Sequence, residues 1–221
     1  NCINLTNVND NSPDIISNGG AATAAISINE GTTAVTTVVA TDVDGTTPTY
    51  SITGGVDAGM FTMTNGVLTF ITAPDYELPT DSDSNNTYVV EVTATDGVND
   101  TVQTITVTVL DINDNAPVFE DGSGNPVPSY SFTYNENSLE TAVLGSVIAT
   151  DKDGDPISYS ITAGNGSGWF EINASSGEIS LTASGAAAAA NDYEVLANVH
   201  NLTVTASAGG DDTAIAVTLS E

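Results

Sequence analysis

Hydrophobic and polar side chains alternate with a period of two residues in several parts of the chain. Residues 104–109 read Thr-Ile-Thr-Val-Thr-Val, and the same alternation recurs at residues 90–94, 202–206 and 215–219. Successive side chains of a β-strand point to opposite faces, so this period predicts strands with one buried face and one face in water. About seven short strands at regular spacing, separated by Asn, Asp and Gly turns, predict an antiparallel sandwich in an all-β protein.

Five landmarks occur twice in the same order, which indicates two copies of one module. The copies are predicted at residues 14–110 and 118–221, with a linker at residues 111–117. Residues 1–13 are predicted to end a preceding linker because residues 9–13 repeat the linker motif, so the chain reads as an excerpt of a longer array. The matched pairs are residues 9–13 with 113–117, 29–31 with 135–137, 40–45 with 149–154, 61–66 with 170–177, and 75–77 with 192–194.

Helical periodicity is nearly absent from the sequence. The alanine-rich residues 185–190 are the exception, and they lie where the second copy is longer than the first. We expect a flexible loop insert there, with a single turn of helix as the alternative.

The charge of the chain is almost entirely negative. Its 221 residues include 29 Asp and Glu but a single Lys or Arg, Lys152, for a formal net charge of −28. Nucleic acid is excluded as a natural partner because no cationic patch can meet its phosphates, and an anionic membrane surface is disfavoured for the same reason. No apolar run is long enough for direct membrane insertion, and the single Cys2 cannot form an intramolecular disulfide. Hydrophobic residues still make up 40%, which is enough for a packed core.

So many carboxylates with one basic residue point to a bound cation, because crowded like charges destabilise a fold. Calcium accepts about six to eight oxygen ligands, whereas one His and one Cys are too few for a zinc or copper site. An EF-hand requires Gly at position 6 of its loop. Counted from Asp151, position 6 is Pro156, and counted from Asp42 it is Thr47, so neither loop is an EF-hand.

Together, the linker Asp111-Ile112-Asn113-Asp114-Asn115-Ala116-Pro117, the Asp-x-Asp-Gly pairs, the Asp-Tyr-Glu pairs and the single Glu30 and Glu136 resemble tandem cadherin repeats. The resemblance covers nearly the whole chain. It implies two tandem Greek-key antiparallel β-sandwiches, cadherin-like and immunoglobulin-like, joined by a calcium-binding linker. In that family three calcium ions take ligands from the base of one domain, from the linker and from the top of the next domain.

The resemblance also implies a ligand set for each ion. The set for the outermost ion is Glu30, Asp75, Glu77 and Asp114; that for the middle ion is Glu30, Glu77, Asp111, Asp114, the Ile112 carbonyl and Asp153; that for the third is Asn113, the Asn115 carbonyl, Asp151 and Asp153. The sequence departs from the family at Ala208, where the first copy has Asp96. We therefore expect the third ion to bind more weakly or with extra water, and we expect Asp211 and Asp212 to be solvated turn residues.

Each end of the chain carries half of a further site. At the end of the chain, Glu221 occupies the place of Asp111, and near the start Asn7 replaces the family's usual Asp. The resemblance implies a half-site of a preceding linker at Asn9, Asn11, Asp42, Asp44 and Asp96, and a half-site of a following linker at Glu136, Asp192 and Glu194.

Other notable residues have simpler interpretations. His200 aligns with Tyr88, so it is expected to be a strand residue. A catalytic role is not expected, because no nucleophile and orienting acid accompany it in a known motif. Residues 81–86 are expected to form a solvated loop. Trp169 stays open, because aromatic faces can stack on sugars.

The sequence thus predicts a non-enzymatic, extracellular pair of cadherin-like repeats that calcium stiffens into a spacer or adhesion module of a larger surface protein. Its expected partners are neighbouring repeats of the same chain and an adhesion partner, protein or glycan. The alternative is a calcium-dependent carbohydrate-binding module in which Trp169 and Tyr130 stack on glycans. The near absence of Lys and Arg suggests a large bacterial surface adhesin as the source, since salt would screen the surface repulsion.

Overall fold

The computed structural model describes residues 7–140, 142–188, 191–194 and 199–221. The chain divides into two units, one ending at Ile112 and the other beginning at Asn113. This boundary falls inside the linker predicted at residues 111–117. The first six residues of the predicted preceding linker, and Ala189 and Ala190 of the alanine-rich segment, lie outside the described residues.

The first unit consists of short strands and a single turn of 3-10 helix, Ala58–Met60. The longest strands are those with the clearest alternation in the sequence, and alternate residues such as Val90, Val92, Ile105 and Val107 are buried in the core. The strands are β1 (Asp14–Ile15), β2 (Thr23–Asn29), β3 (Ala34–Thr37), β4 (Ala40–Thr41), β5 (Thr49–Gly54), β6 (Phe61–Thr64), β7 (Val67–Phe70), β8 (Thr87–Thr95) and β9 (Asp100–Leu110).

Two main sheets form this unit, with strand orders β2-β9-β8-β5 and β3-β7-β6, while β1 pairs with β4. β2 runs parallel to β9, and every other described strand pair of the unit is antiparallel. The antiparallel prediction was wrong for this pair and for its counterpart in the second unit, because the chain first pairs through β1 with β4 and then crosses over to lie beside β9. The fully buried Gln103 holds the crossing segment: its amide donates to the Ala21 carbonyl (2.7 Å), and its Oε1 accepts from Asn18 (3.2 Å).

Buried side chains of both sheets form the core of the first unit. The Phe70 ring lies 4.3 Å from Phe61 and 4.9 Å from Tyr88 between centroids. The Tyr88 hydroxyl accepts a hydrogen bond from the Thr80 N–H (3.2 Å), which ties the long connection between β7 and β8 to the sheet. The remaining buried core includes Val38, Leu68, Val90, Val92, Ala94, Ile105, Val107 and Val109.

The second unit repeats this plan. Its sheets have the orders β11-β18-β17-β14 and β12-β16-β15, β10 pairs with β13, and β11 runs parallel to β18. Its core includes Phe119, Val147, Ile179, Leu181, Val204, Val217 and Leu219. The strands are β10 (Val118–Glu120), β11 (Ser129–Thr133), β12 (Val143–Ser146), β13 (Ile148–Thr150), β14 (Ile157–Ala163), β15 (Phe170–Ile172), β16 (Glu178–Leu181), β17 (Val199–Ala208) and β18 (Asp211–Ser220).

A short helix, α1 (Ala183–Ala186), lies where the sequence favoured a flexible insert. The alternative, one turn of helix, is what the structure has, although it begins two residues earlier than the alanine-rich segment. The Thr182 hydroxyl accepts from the Gly185 N–H (3.1 Å) and so satisfies one of the free donors at the helix start. Within the described residues, no helix has both the length and the apolar character needed to cross a bilayer.

Candidate metal centres

Three carboxylates converge at the C-terminal end of the first unit. Glu30, Asp75 and Glu77 each offer an oxygen, and these oxygens all lie within 4.8 Å of one another. Glu30 follows β2 and is only 3% exposed, and its two oxygens accept from the backbone N–H groups of Tyr76 (2.6 Å) and Ile112 (3.0 Å). One buried carboxylate therefore joins the β7–β8 connection to the segment after β9, where Asp111 also lies.

The N-terminal end of the second unit gathers the other linker residues. Asp153 Oδ2 accepts from the N–H groups of Asp114 (3.0 Å) and Asn115 (2.8 Å), and its Oδ1 accepts from the Asn115 amide (2.6 Å). Burial acts to raise the pKa of Asp153, but these hydrogen bonds outweigh it and hold the pKa below its ordinary value. Asp151 Oδ1 accepts from the N–H groups of Asp153 (3.1 Å) and Asp155 (3.2 Å), which closes the Asp-x-Asp-Gly turn.

The N-terminal end of the first unit has the same geometry. Asp44 Oδ2 accepts from the N–H groups of Asp10 (3.0 Å) and Asn11 (2.8 Å), as Asp153 does in the second unit. The Asn11 hydrogen bonds lower the pKa of Asp44. Asp96 accepts from the backbone N–H of Asn99 (2.7 Å), which lowers its pKa as well. Charged carboxylates are thus held by backbone donors at this end of both units.

The C-terminal end of the second unit is a cluster of carboxylates. Glu136, Asp192 and Glu194 bring oxygens within 4.8 Å of one another, as their counterparts do in the first unit. Burial, followed by the charges of these three neighbours, raises the pKa of Glu221. Among the described residues, both Glu221 side-chain oxygens are buried without a hydrogen-bond partner, so burial disfavours the charged form of this carboxylate.

These sites fit a hard divalent cation. Their donors are carboxylate, amide and backbone oxygens, which calcium prefers. In the part of the chain that the structure describes, several buried oxygens have no hydrogen-bond donor, as expected of groups that ligate an ion. They are Asn9 Oδ1, Asp42 Oδ2, Asp151 Oδ2 and both side-chain oxygens of Glu221.

One acidic residue near the linker was not among the predicted ligands. Asp155 is half-buried in the second unit beside Asn113, and its counterpart in the first copy is Thr46. The signal was present, because the second copy reads Asp-Lys-Asp-Gly-Asp where the first reads Asp-Val-Asp-Gly-Thr.

The aromatic residues offered for the carbohydrate-binding alternative are structural. The Tyr130 hydroxyl bonds to the Glu120 carbonyl and the Ile148 backbone, and its ring stacks on Phe132 with centroids 5.7 Å apart. Trp169 is half-buried and packs edge-on against His200 (5.9 Å). Neither ring is an open platform for a sugar, so the carbohydrate-binding alternative is not supported.

His200 lies in β17, as expected for a strand residue. Its ring packs against Phe170 with centroids 5.1 Å apart, and burial lowers its pKa. Asp211 and Asp212 begin β18 instead of forming the predicted turn, and Asp212 is exposed.

The prediction of a solvated loop at residues 81–86 was wrong at both ends of this segment. Asp81 is 6% exposed and Asn86 is 9% exposed. Asp81 accepts from the N–H groups of Asn85 (2.8 Å) and Asn86 (3.2 Å), while the buried Asp57 accepts from two further backbone N–H groups at 2.8 Å each. The loop folds inward because its carboxylates satisfy backbone donors, which the polar sequence alone does not reveal.

Comparison with known proteins connects this geometry to a family. Residues 130–218 match the family model described as Cadherin domain. Protocadherin Fat 4 of Homo sapiens is 37% identical over 187 residues, covering 80% of this chain and 4% of that protein. Cadherin-23 of Mus musculus is 34% identical over 219 residues, covering 93% of this chain and 6% of that protein. The chain therefore spans only a small part of the length of these relatives.

Solved structures of cadherin ectodomains share the fold. The structure of mouse cadherin-23 EC22-24 matches with a TM-score of 0.74 at 24% identity, covering 96% of this chain and 67% of that one. Human protocadherin-24 EC1-2 in a second crystal form matches with a TM-score of 0.70 at 23% identity, covering 96% of this chain and all (100%) of that one. The predicted all-β, cadherin-like fold is confirmed. The predicted bacterial origin is not supported, because the relatives named here are animal proteins.

Proposed function

Since residues 130–218 are a cadherin domain and the chain is homologous to animal cadherins and protocadherins, we propose that it is a calcium-stiffened spacer within a longer extracellular adhesion protein. Cadherin repeats are structural adhesion domains that bind Ca²⁺ at their interdomain linkers. On this proposal, the chain is extracellular and has no enzymatic activity. Its partners are neighbouring repeats of the same protein and an adhesion partner.

The observation that carries the proposal is the pair of hydrogen-bonded sites built on consecutive linker residues. In the first unit, Glu30 accepts from the Ile112 N–H. In the second unit, Asp153 accepts from the N–H groups of Asp114 and Asn115. Since Ile112 and Asn113 are adjacent in the chain, one short segment serves both groups of carboxylates, and we propose that calcium ions take ligands from both.

The proposed ligand sets are those that the family resemblance implies, with three ions at the linker. Glu30, Asp75 and Glu77 already stand close enough to share an ion, and Asp151 keeps a buried oxygen without a donor. Bound calcium would supply positive charge that offsets the mutual repulsion of these carboxylates. In a chelator the repulsion returns, and the linker becomes a looser hinge.

Small-angle scattering tests the stiffening directly. With calcium at about 1 mM, a level that fills extracellular-type sites, we expect a single extended shape, and with excess chelator a broader distribution of shapes. Asp114→Ala should give the broad distribution even with calcium, because Asp114 is proposed to ligate two ions. Asp212→Ala is the matched control, since it removes one carboxylate from an exposed position outside the sites. Superimposable wild-type profiles with calcium and with chelator would refute the proposed spacer role.

A further inference from the structure

The two copies differ at several positions near the third proposed ion, and two of these differences are opposite in sense. The first copy has Asp96 where the second has Ala208, which removes a carboxylate. The first copy has Thr46 where the second has Asp155, which adds one. Both alignments follow from equivalent strand pairs. In the first copy, Tyr50 of β5 pairs with Ala94 of β8. In the second copy, Tyr159 of β14 pairs with Ala206 of β17.

The sheet register brings the two positions of the second copy to the same place. Ala208 is paired with Ile157, the first residue of β14, and Asp155 precedes that residue by two positions. A Cβ atom built on Gly209 would lie 2.1 Å from Asp155 Oδ2 and 2.1 Å from Asn113 Nδ2. These two atoms are therefore no more than twice that distance apart, beside the end of β17.

The first unit has a different carboxylate at the equivalent place. There the side chain of Asn9 hydrogen-bonds the carboxylate of Asp96. Asn113 is the counterpart of Asn9, and its amide lies beside the carboxylate of Asp155, with the Ala208 carbonyl 3.5 Å away. The first linker Asn thus has a carboxylate neighbour in both copies, supplied by different elements.

We propose that Asp155 replaces the missing residue 208 carboxylate as a ligand of the third calcium ion. Asp151 Oδ2 is buried and has no hydrogen-bond partner among the residues that the structure describes, while Asp151 Oδ1 accepts from the Asp155 N–H (3.2 Å). The turn that presents one ligand therefore also positions the other. The carboxylate count of this site then equals that of the first copy. This inference rests on the proposed calcium function and replaces the expectation of a site weakened by Ala208.

Residue-resolved NMR of the full chain tests the inference. Calcium is titrated into the wild type, Asp155→Asn and Asp155→Thr, the last of which installs the residue of the first copy. Asp212→Asn is the control for the loss of one charge. We follow the backbone amide of Gly209 beside the third site, and that of Gly97, its counterpart in the first unit, as the internal reference.

In both Asp155 variants, we expect the calcium midpoint at Gly209 to rise about tenfold or more, because ligand charge count sets the affinity of such sites. The midpoint at Gly97 should not change, and Asp212→Asn should match the wild type. If the Asp155 variants and Asp212→Asn give the same Gly209 midpoint, Asp155 is not a ligand. If calcium instead shifts none of the wild-type amide resonances, the proposed function itself is refuted.

Discussion

Glu30→Gln is the sharpest single perturbation of the proposed calcium sites. Glu30 is buried and hydrogen-bonds two backbone N–H groups, and it is proposed to ligate two ions. Glutamine has nearly the same size, but its NH₂ group cannot accept a hydrogen bond. In chelator, one backbone N–H therefore loses its acceptor, which costs about 1–3 kcal/mol, less whatever is gained by removing one charge beside Asp75 and Glu77.

The calcium-dependent part of the loss can be separated from this structural part. At about 1 mM calcium, a site with a dissociation constant near 0.1 mM stabilises the folded state by about 1.4 kcal/mol, and a tenfold weaker site by about 0.4 kcal/mol. Two sites weakened tenfold by the substitution thus lose about 2 kcal/mol of calcium stabilisation. For a domain of this size that corresponds to roughly 8–16 °C in Tm.

The assay is thermal unfolding followed by circular dichroism, with about 1 mM calcium and with chelator, for the wild type and the variant. The decisive quantity is the rise in Tm on adding calcium, because the lost hydrogen bond cancels in that difference. Glu140→Gln makes the same chemical change at an exposed glutamate and should keep the full wild-type rise. An equal calcium response of Glu30→Gln and Glu140→Gln would show that Glu30 does not ligate calcium.

Two further predictions concern the fold without its ions. Gln103→Ala should lower the free energy of unfolding by about 2–4 kcal/mol, because it leaves the partners of a fully buried amide unsatisfied and creates a cavity. Urea unfolding should show the same loss with and without calcium, and a calcium-dependent loss would contradict this. In chelator, the free energy of unfolding should fall as the pH drops below the unfolded-state aspartate pKa near 3.8. The folded-state pKa values of Asp44 and Asp153 are lowered, so the stabilisation from these carboxylates is lost as the pH falls through those folded-state pKa values. Glu221 acts in the opposite sense: its pKa is raised, so its penalty is present at neutral pH and fades as the pH falls through that pKa. Urea titrations between pH 3 and 6 check both signs, and a stability that stays flat below the ordinary aspartate pKa would contradict the first.

The strands could be predicted because the pattern that defines them is local. Residues 104–109 alternate strictly, and the residues predicted to face inward, Ile105, Val107 and Val109, are the buried ones. The parallel pairing of β2 with β9 could not be predicted in this way, because it depends on where the chain crosses between sheets. The same limit explains the 81–86 loop, since the acceptance of backbone N–H groups by Asp81 is set by folding and not by composition.

The candidate sites could be predicted only as far as the two copies agree. Asp44 and Asp153 repeat both in sequence and in their hydrogen bonds, so the repeat pointed to both. Asp155 was missed because it differs between the copies, and a comparison of motifs discards such positions. Its role follows from the register of β14 with β17, which places residues from distant parts of the sequence beside each other.

The carboxylates at the two ends of the second unit differ in how well the protein itself stabilises their negative charge. At the N-terminal end, backbone donors lower the pKa of Asp153, so its carboxylate is stable as an anion and its orientation is set before any ion binds. At the C-terminal end, the raised pKa and unpartnered oxygens of Glu221 show that its charge is opposed by burial and by its neighbours. A calcium ion bound as proposed would therefore find a preorganised ligand at the N-terminal end and would offset repulsion between carboxylates at the C-terminal end. Most of the dependence of this unit's stability on calcium should consequently arise at its C-terminal end, where Glu136, Asp192 and Glu194 crowd together.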